Sequence, residues 1–362
     1  MDYTINPQIY STIHDAVKIF VPAIVTFVIG MGITPLVTHY LYKWELWKKV
    51  SVQKTTDGRE ATITSKLHGD EVRKTPRMGG IIVWGSVMIT TILVTLIALI
   101  LPSENLTKLS FLSRNQTWLP LFTLISASLV GLVDDAFVVK GRGTFVGGGL
   151  SLRKRLGVVF LLALAGGLWF YFKLGVTGIV IPFDGIFILG AFFIPFFILV
   201  MLAVYSGGII DGVDGLAGGV FMIMFSAYGV IAYAQNQVDL ATFCMVIVGS
   251  LLVFLWFNIP PARFFLSETG TMGLTTTLTV VAFLTGQVLL LLIIALPLVL
   301  TTASVIIQLI SKKFRNGKKV FLVAPLHNHF IALGWPTYKV TMRYWVFSVI
   351  CAVTGIVLAL VS

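Results

Sequence analysis

Five carboxylates stand at the ends of apolar runs in this 362-residue chain: Asp134, Asp135, Asp211, Asp214 and Glu268. An acid beside hydrocarbon is costly unless it is paired, solvated or holding a cation, so acids gathered there from distant segments mark a functional site. The first pair closes a run in Gly131-Leu-Val-Asp134-Asp135. Neighbouring side chains on a helix point about 100° apart, so the two acids serve different partners, and their repulsion raises the proton affinity of one. That suits a general base working near neutrality. The second group is Gly207-Gly208-Ile-Ile-Asp211-Gly212-Val-Asp214-Gly215. Its acids share one face of a helical turn, and the flanking glycines let backbone approach a phosphate closely. Hard oxygen donors without cysteine or paired histidine beside them favour magnesium.

Between Trp256 and Gly270 the chain offers an amide, a guanidinium, an aromatic face and a carboxylate in Asn258, Arg263, Phe265 and Glu268. A nucleotide fits that set, with Phe265 stacking on a base and Asn258 bonding its edge. Taken alone, Phe265 reads better as an aromatic at the membrane interface. Two histidines, His327 and His329, flank Asn328 in the last basic loop. They could bind metal, donate to phosphate or be merely solvated.

The elements that must carry these residues are membrane helices. Apolar residues make up 57% of the chain and charged residues 11%, a composition foreign to soluble proteins. Runs long enough to cross roughly 30 Å of hydrocarbon fall near 17–42, 79–102, 117–133, 156–172, 185–204, 216–234, 240–257, 271–284, 286–311 and 344–361. They predict an all-α integral membrane protein of about ten transmembrane helices in a single domain over 1–362. Only Thr285, Gly286 and Gln287 divide the eighth run from the ninth, and one long tilted span is the alternative. Segments 43–77, 135–155, 258–270 and 312–343 hold 22 of the 26 Lys and Arg. Basic loops stay in the cytoplasm, so these loops face inward, both termini face out, and every candidate residue lies on the cytoplasmic side. The net charge of +11 is then a topology signal with a share left for anionic lipid or substrate, and no nucleic acid is needed to explain it. Asp2 and Asp15 precede the first run where a signal peptide would be basic, so that run is expected to be retained. Cys244 and Cys351 fall inside apolar runs, and neither a disulfide nor zinc is expected.

Several segments together carry a resemblance: Lys74-Thr-Pro-Arg-Met-Gly-Gly80, Val133-Asp-Asp135, Asp211-Gly-Val-Asp-Gly-Leu-Ala217, Asn258 to Gly270, and Pro325-Leu-His-Asn-His-Phe330 followed by Gly334-Trp-Pro336 and Arg343-Tyr-Trp345. They resemble the polyprenyl-phosphate N-acetylhexosamine-1-phosphate transferases over nearly the whole chain, and the C-terminal segments point to the muramoyl-pentapeptide branch. The resemblance implies a ten-span, commonly homodimeric enzyme of the bacterial inner membrane with its active site on the cytoplasmic face. Its members transfer phospho-MurNAc-pentapeptide from UDP-MurNAc-pentapeptide to undecaprenyl phosphate, giving lipid I and UMP with Mg2+, a step of peptidoglycan synthesis.

Carried over residue by residue, the resemblance makes Asp134 the base that deprotonates the lipid phosphate, with Asp135 beside it. Asp211 and Asp214 match acids of the nucleotide-binding loop, and Asn258 and Phe265 the uridine-contacting amide and aromatic. Glu268 stands where the family has its metal-binding aspartate, with Asp211 the second candidate ligand. His327 matches a phosphate or sugar contact, and Thr75, Arg155 and His329 fall at substrate-binding positions. The chain departs from the family at Glu268 (usually Asp), Asn328 (His), Arg77 (Thr), Gly208 (Asn) and Arg155 (Lys). Glu268 keeps the charge and adds a methylene, while Gly208 and Arg77 remove a carboxamide and a hydroxyl from the expected nucleotide pocket. A relative that transfers GlcNAc-1-phosphate is the nearest rival reading. A secondary transporter is the more distant one, and acids at span ends without an internal repeat speak against it.

Overall fold

The computed structural model describes residues 7–47, 74–101, 104–141 and 149–362. Many of the basic residues expected to set topology, in 48–73 and 142–148, lie outside the described residues. Backbone polar groups find no water in hydrocarbon, so apolar runs close their hydrogen bonds within helices. In chain order these are α1 (Pro7–Lys43), α2 (Gly80–Ile100), the short α3 (Glu104–Leu109), α4 (Trp118–Val139), α5 (Leu152–Leu168), α6 (Phe193–Ser206), α7 (Leu216–Ala234), α8 (Val238–Asn258), α9 (Ser267–Leu284), the short α10 (Leu291–Ile294), α11 (Leu296–Phe314), the short α12 (Leu326–Ala332) and α13 (Thr337–Val361). Among the described residues nine helices are long and apolar enough to cross a membrane. They make this a multi-pass membrane protein. Threonine-rich α9 is not one of the nine, yet it lies inside the bundle, buried from Thr269 to Phe283. Outward-facing Ile24, Leu99, Leu161, Leu199 and Val346 give the bundle an apolar surface suited to lipid.

Two expected spans are corrected. The fifth run does not begin as a helix at 185, because β1 (Gly178–Ile181) and β2 (Gly185–Ile188) pair there as an antiparallel hairpin with Gly178 opposite Ile188. Its β-branched residues favour extended backbone, and Phe183 (φ +68°) and Gly185 (φ +90°) turn the chain. The ninth run breaks at Gly286 (φ +69°), and its long helix starts only at Leu296, with Pro297 presetting the first turn. The break also shows that the eighth and ninth runs are not one span. Cys244 and Cys351 are free and buried, as expected.

Small residues and hydroxyls set how closely the central helices meet. Gly131 of α4 packs against the carbonyl of Glu268 so tightly that a Cβ there would collide with it, and Gly80 of α2 meets the backbone of Gly270 in the same way. The hydroxyls of Thr271, Thr275, Thr276 and Thr279 donate to carbonyls one turn back, which lets α9 carry these polar side chains through the interior. In α1, Pro22 cannot donate to the carbonyl of Lys18, and Thr242 of α8 donates to it at 3.4 Å instead. At the far end of α9, Phe170, Phe193, Phe197 and Phe283 are buried together, with the Phe197 and Phe283 ring centres 4.5 Å apart. This aromatic knot closes the end opposite the carboxylates.

Candidate active site

The site forms where α4, α6 and α8 end and α5, α7 and α9 begin. At the end of α4 the two adjacent acids part company. Asp134 is buried, and its Oδ1 accepts from the Leu150 N–H at 2.6 Å. That donor is aimed by the turn at Gly149 (φ +94°), where a Cβ would sit 3.0 Å from Asp134 Oδ1. Asp134 Oδ2 faces Arg155 Nη1 at 3.8 Å, and the same nitrogen donates to Glu268 Oε1 at 2.6 Å. Arg155 Nε donates to the Leu150 carbonyl at 3.2 Å, which fixes the plane of the guanidinium. One cationic nitrogen therefore stands between two carboxylates brought from α4 and α9.

Asp135, wholly buried, points elsewhere. Its Oδ1 accepts from Arg77 Nε at 2.9 Å, and its Oδ2 accepts from the Thr269 N–H at 2.9 Å and the Thr269 hydroxyl at 2.6 Å. Both oxygens are engaged, and Oδ2 holds the first turn of α9, where unpaired N–H groups and the positive end of the helix dipole attract an anion.

The loop between α6 and α7 supplies the second set. Asp211 Oδ2 accepts from the Ser267 N–H at 2.7 Å, and Asp214 Oδ2 from the Ala262 N–H at 3.2 Å. Ser267 opens α9 with φ +57°, a conformation rarely adopted by L residues, and its bond to Asp211 helps hold it. Burial pushes the Asp211 carboxyl up to about 6, with Asp135 and Asp214 adding to the rise and the Ser267 N–H and Arg77 opposing it. Asn258 is buried and spends its amide on backbone: Oδ1 accepts from the Gly215 N–H at 2.8 Å and Nδ2 donates to the Phe264 carbonyl at 2.7 Å. It works as a strut between the two loops. Phe265 is partly exposed beside them, its main chain pairing with Pro76 and Gly79.

His327 is buried with Nε2 against Gly212, so it rests on the Asp211 loop. His329 turns away, and its Nδ1 accepts from the Leu322 N–H at 3.2 Å beside the Phe321 ring. Thr75 is half-buried two residues before Arg77. The geometry thus gathers Asp134, Asp135, Arg155, Asp211, Asp214, Asn258, Glu268 and His327, and leaves His329 facing away on α12. Thr269 was not among the expected site residues, and Arg77 was expected only as a departure within the nucleotide pocket, not as a partner of Asp135. A cation at the mouth of a membrane helix whose partner end carries acids was the available signal for Arg77.

No set of three or more His, Cys, Asp or Glu side chains among the described residues is placed to hold a metal ion. The donor set still suits magnesium, which takes one or two carboxylates and leaves its other positions to water and substrate phosphate. Glu268 and Asp211 offer such oxygens on either side of Ser267.

Residues 117–286 match the family model described as Glycosyl transferase family 4. That stretch holds every carboxylate of the site and Arg155. The chain is also 34% identical over 347 residues to a phospho-N-acetylmuramoyl-pentapeptide-transferase of Bacillus cytotoxicus, covering 93% of this chain and 97% of that protein. The proteins of the same name from Bacillus thuringiensis and Bacillus cereus are 34% identical over 349 residues with the same coverage. Similarity that runs end to end takes in both the carboxylate loops and the histidine segment, and the chain belongs to the phospho-N-acetylmuramoyl-pentapeptide-transferase family.

Proposed function

We propose that this transferase moves phospho-MurNAc-pentapeptide from UDP-MurNAc-pentapeptide to undecaprenyl phosphate, at the cytoplasmic face of the bacterial inner membrane, as a homodimer of single-domain chains. The observation that carries the reading is the convergence of Asp134, Arg155 and Glu268 from three helix ends. One substrate lives in the bilayer and the other in water, so a site at helix ends serves both. The Lys and Arg of the sequence segments that join these helix ends support its cytoplasmic placement.

Asp134 Oδ2, the oxygen not engaged by Leu150, takes the proton of the lipid phosphate. The freed oxygen attacks the sugar-bearing phosphorus of the donor, a new P–O bond forms, and the diphosphate bond breaks to leave UMP. Arg155 offers fixed positive charge beside the reacting phosphates, and positioning with such electrostatics supplies most of the rate in phosphoryl transfer. Magnesium, held by Glu268 and Asp211, would neutralise charge on the donor diphosphate when bound. The Asp211 loop, braced by Asn258 and His327, receives the nucleotide, and the partly exposed Phe265 offers a face to its base.

The test is UMP release from UDP-MurNAc-pentapeptide by the protein in detergent or vesicles. Release should require both undecaprenyl phosphate and magnesium. Release indifferent to the lipid would sink the reading, and preference for a GlcNAc donor would move it to the related branch.

A further inference from the structure

We propose that Arg77 is a positioning residue: its guanidinium locks Asp135 onto the first turn of α9 and thereby sets Glu268 against Asp134. The inference rests on the transferase reading for its kinetic test.

The lock joins consecutive residues on each side. Asp135 grips Thr269, while the preceding residues, Asp134 and Glu268, both face Arg155. A slip of Thr269 against Asp135 therefore changes the separation of the two carboxylates at the reaction centre. Beside this pair Gly131 touches the Glu268 carbonyl, so the two backbones have no slack between them. Asp135 alone is a poor anchor, because a wholly buried carboxylate without a counter-charge takes up a proton or drags in water. Arg77 is the counter-charge, and it does not deprotonate.

Its own placement is fixed by main chain. The Arg77 N–H donates to the Leu46 carbonyl at 2.8 Å, tying it to the end of α1. On either side, Phe265 N–H donates to Pro76 and Gly79 N–H donates to Phe265, so the segment is paired to the residues that lead into α9. Met78 completes the turn at φ +69°. Arg77 is thus held by α1 and by the strand-like run before α9 before its side chain reaches α4. Among the described acids its guanidinium contacts Asp135 alone, and its charge also acts at longer range on Asp211 and Glu268. Threonine, usual here in the family, could supply neither the reach nor the charge.

The test compares Arg77→Met, Arg77→Lys and Arg77→Met/Asp135→Asn with the wild-type chain. Arg77→Met should lower kcat by about 10²-fold, the scale of a 1 Å misplacement, while KM for the donor stays within about threefold. Arg77→Lys should recover most of the rate. Adding Asp135→Asn to Arg77→Met should cost little more, since the two act as one unit. A raised KM with unchanged kcat would overturn the proposal, making Arg77 a substrate contact instead. So would additive losses in the double variant. If the wild-type chain releases no UMP, the transferase reading fails and the lock is judged by melting: non-additive Tm losses for Arg77→Met and Asp135→Asn support it, and additive ones overturn it.

Discussion

The two halves of the site hold their carboxylates by different means. On the α4–α9 seam, Asp134, Asp135 and Glu268 meet the guanidiniums of Arg155 and Arg77. On the α6–α7 loop, Asp211 and Asp214 accept from the backbone N–H groups of Ser267 and Ala262. The seam is thus tied by ion pairs between side chains of separate helices. The loop half is held by main-chain hydrogen bonds, and there burial lifts the Asp211 carboxyl to about 6.

The sharpest way to break that division is at its reactive oxygen. Asp134→Asn should lower turnover by about 10³-fold or more while the chain stays folded, because a carboxamide cannot take the proton. Near-normal turnover in a UMP-release assay would remove Asp134 from the base role. Gly131→Ala should come next, at about 10²-fold in kcat, since its methyl would push the Glu268 backbone away from α4. Unchanged kinetics with an unchanged melting temperature would show that the seam tolerates movement.

Asp211 in the loop half should give stability a dependence on pH. Asp211 binds its proton more tightly in the folded chain than at the ordinary aspartate value near 4, with a folded value of about 6. Between those values the folded state carries the extra proton, so stability from this group is present at low pH and is lost as pH rises through about 6. Asp211→Asn should flatten the melting temperature across that window, and an unaltered slope would show that another group titrates there. The smallest effect belongs to Asn258→Ala, which removes a strut without touching charge. It should cost about 2 kcal/mol of stability through two lost buried hydrogen bonds, read as a fall in melting temperature.

The sequence made the helices legible because crossing hydrocarbon leaves the backbone few options, and nine of the expected runs became apolar helices and one the threonine-rich α9. It foresaw the break at Gly286 but misjudged the β1–β2 hairpin, where apolar β-branched residues read as span, and the start of the ninth helix, which forms only from Leu296 and not from 286. The carboxylates were legible from the cost of placing acids at hydrocarbon. Their partners were not, since the pairing of Arg77 with Asp135 spans 58 positions and that of Arg155 with Glu268 spans 113. Nor could residue types separate Asp134 from Asp135, because only the direction of each side chain from the end of α4 assigns one to Arg155 and the other to Thr269.

On the proposed mechanism these converging side chains pass a sugar phosphate directly between a soluble diphosphate and a lipid phosphate. Donor labelled at the sugar-bearing phosphorus tests it most directly, with label in the lipid fraction counted against UMP in water. The two should rise one for one and stop together in Asp134→Asn. Label left in water as free sugar phosphate, or UMP formed without labelled lipid, would contradict the account.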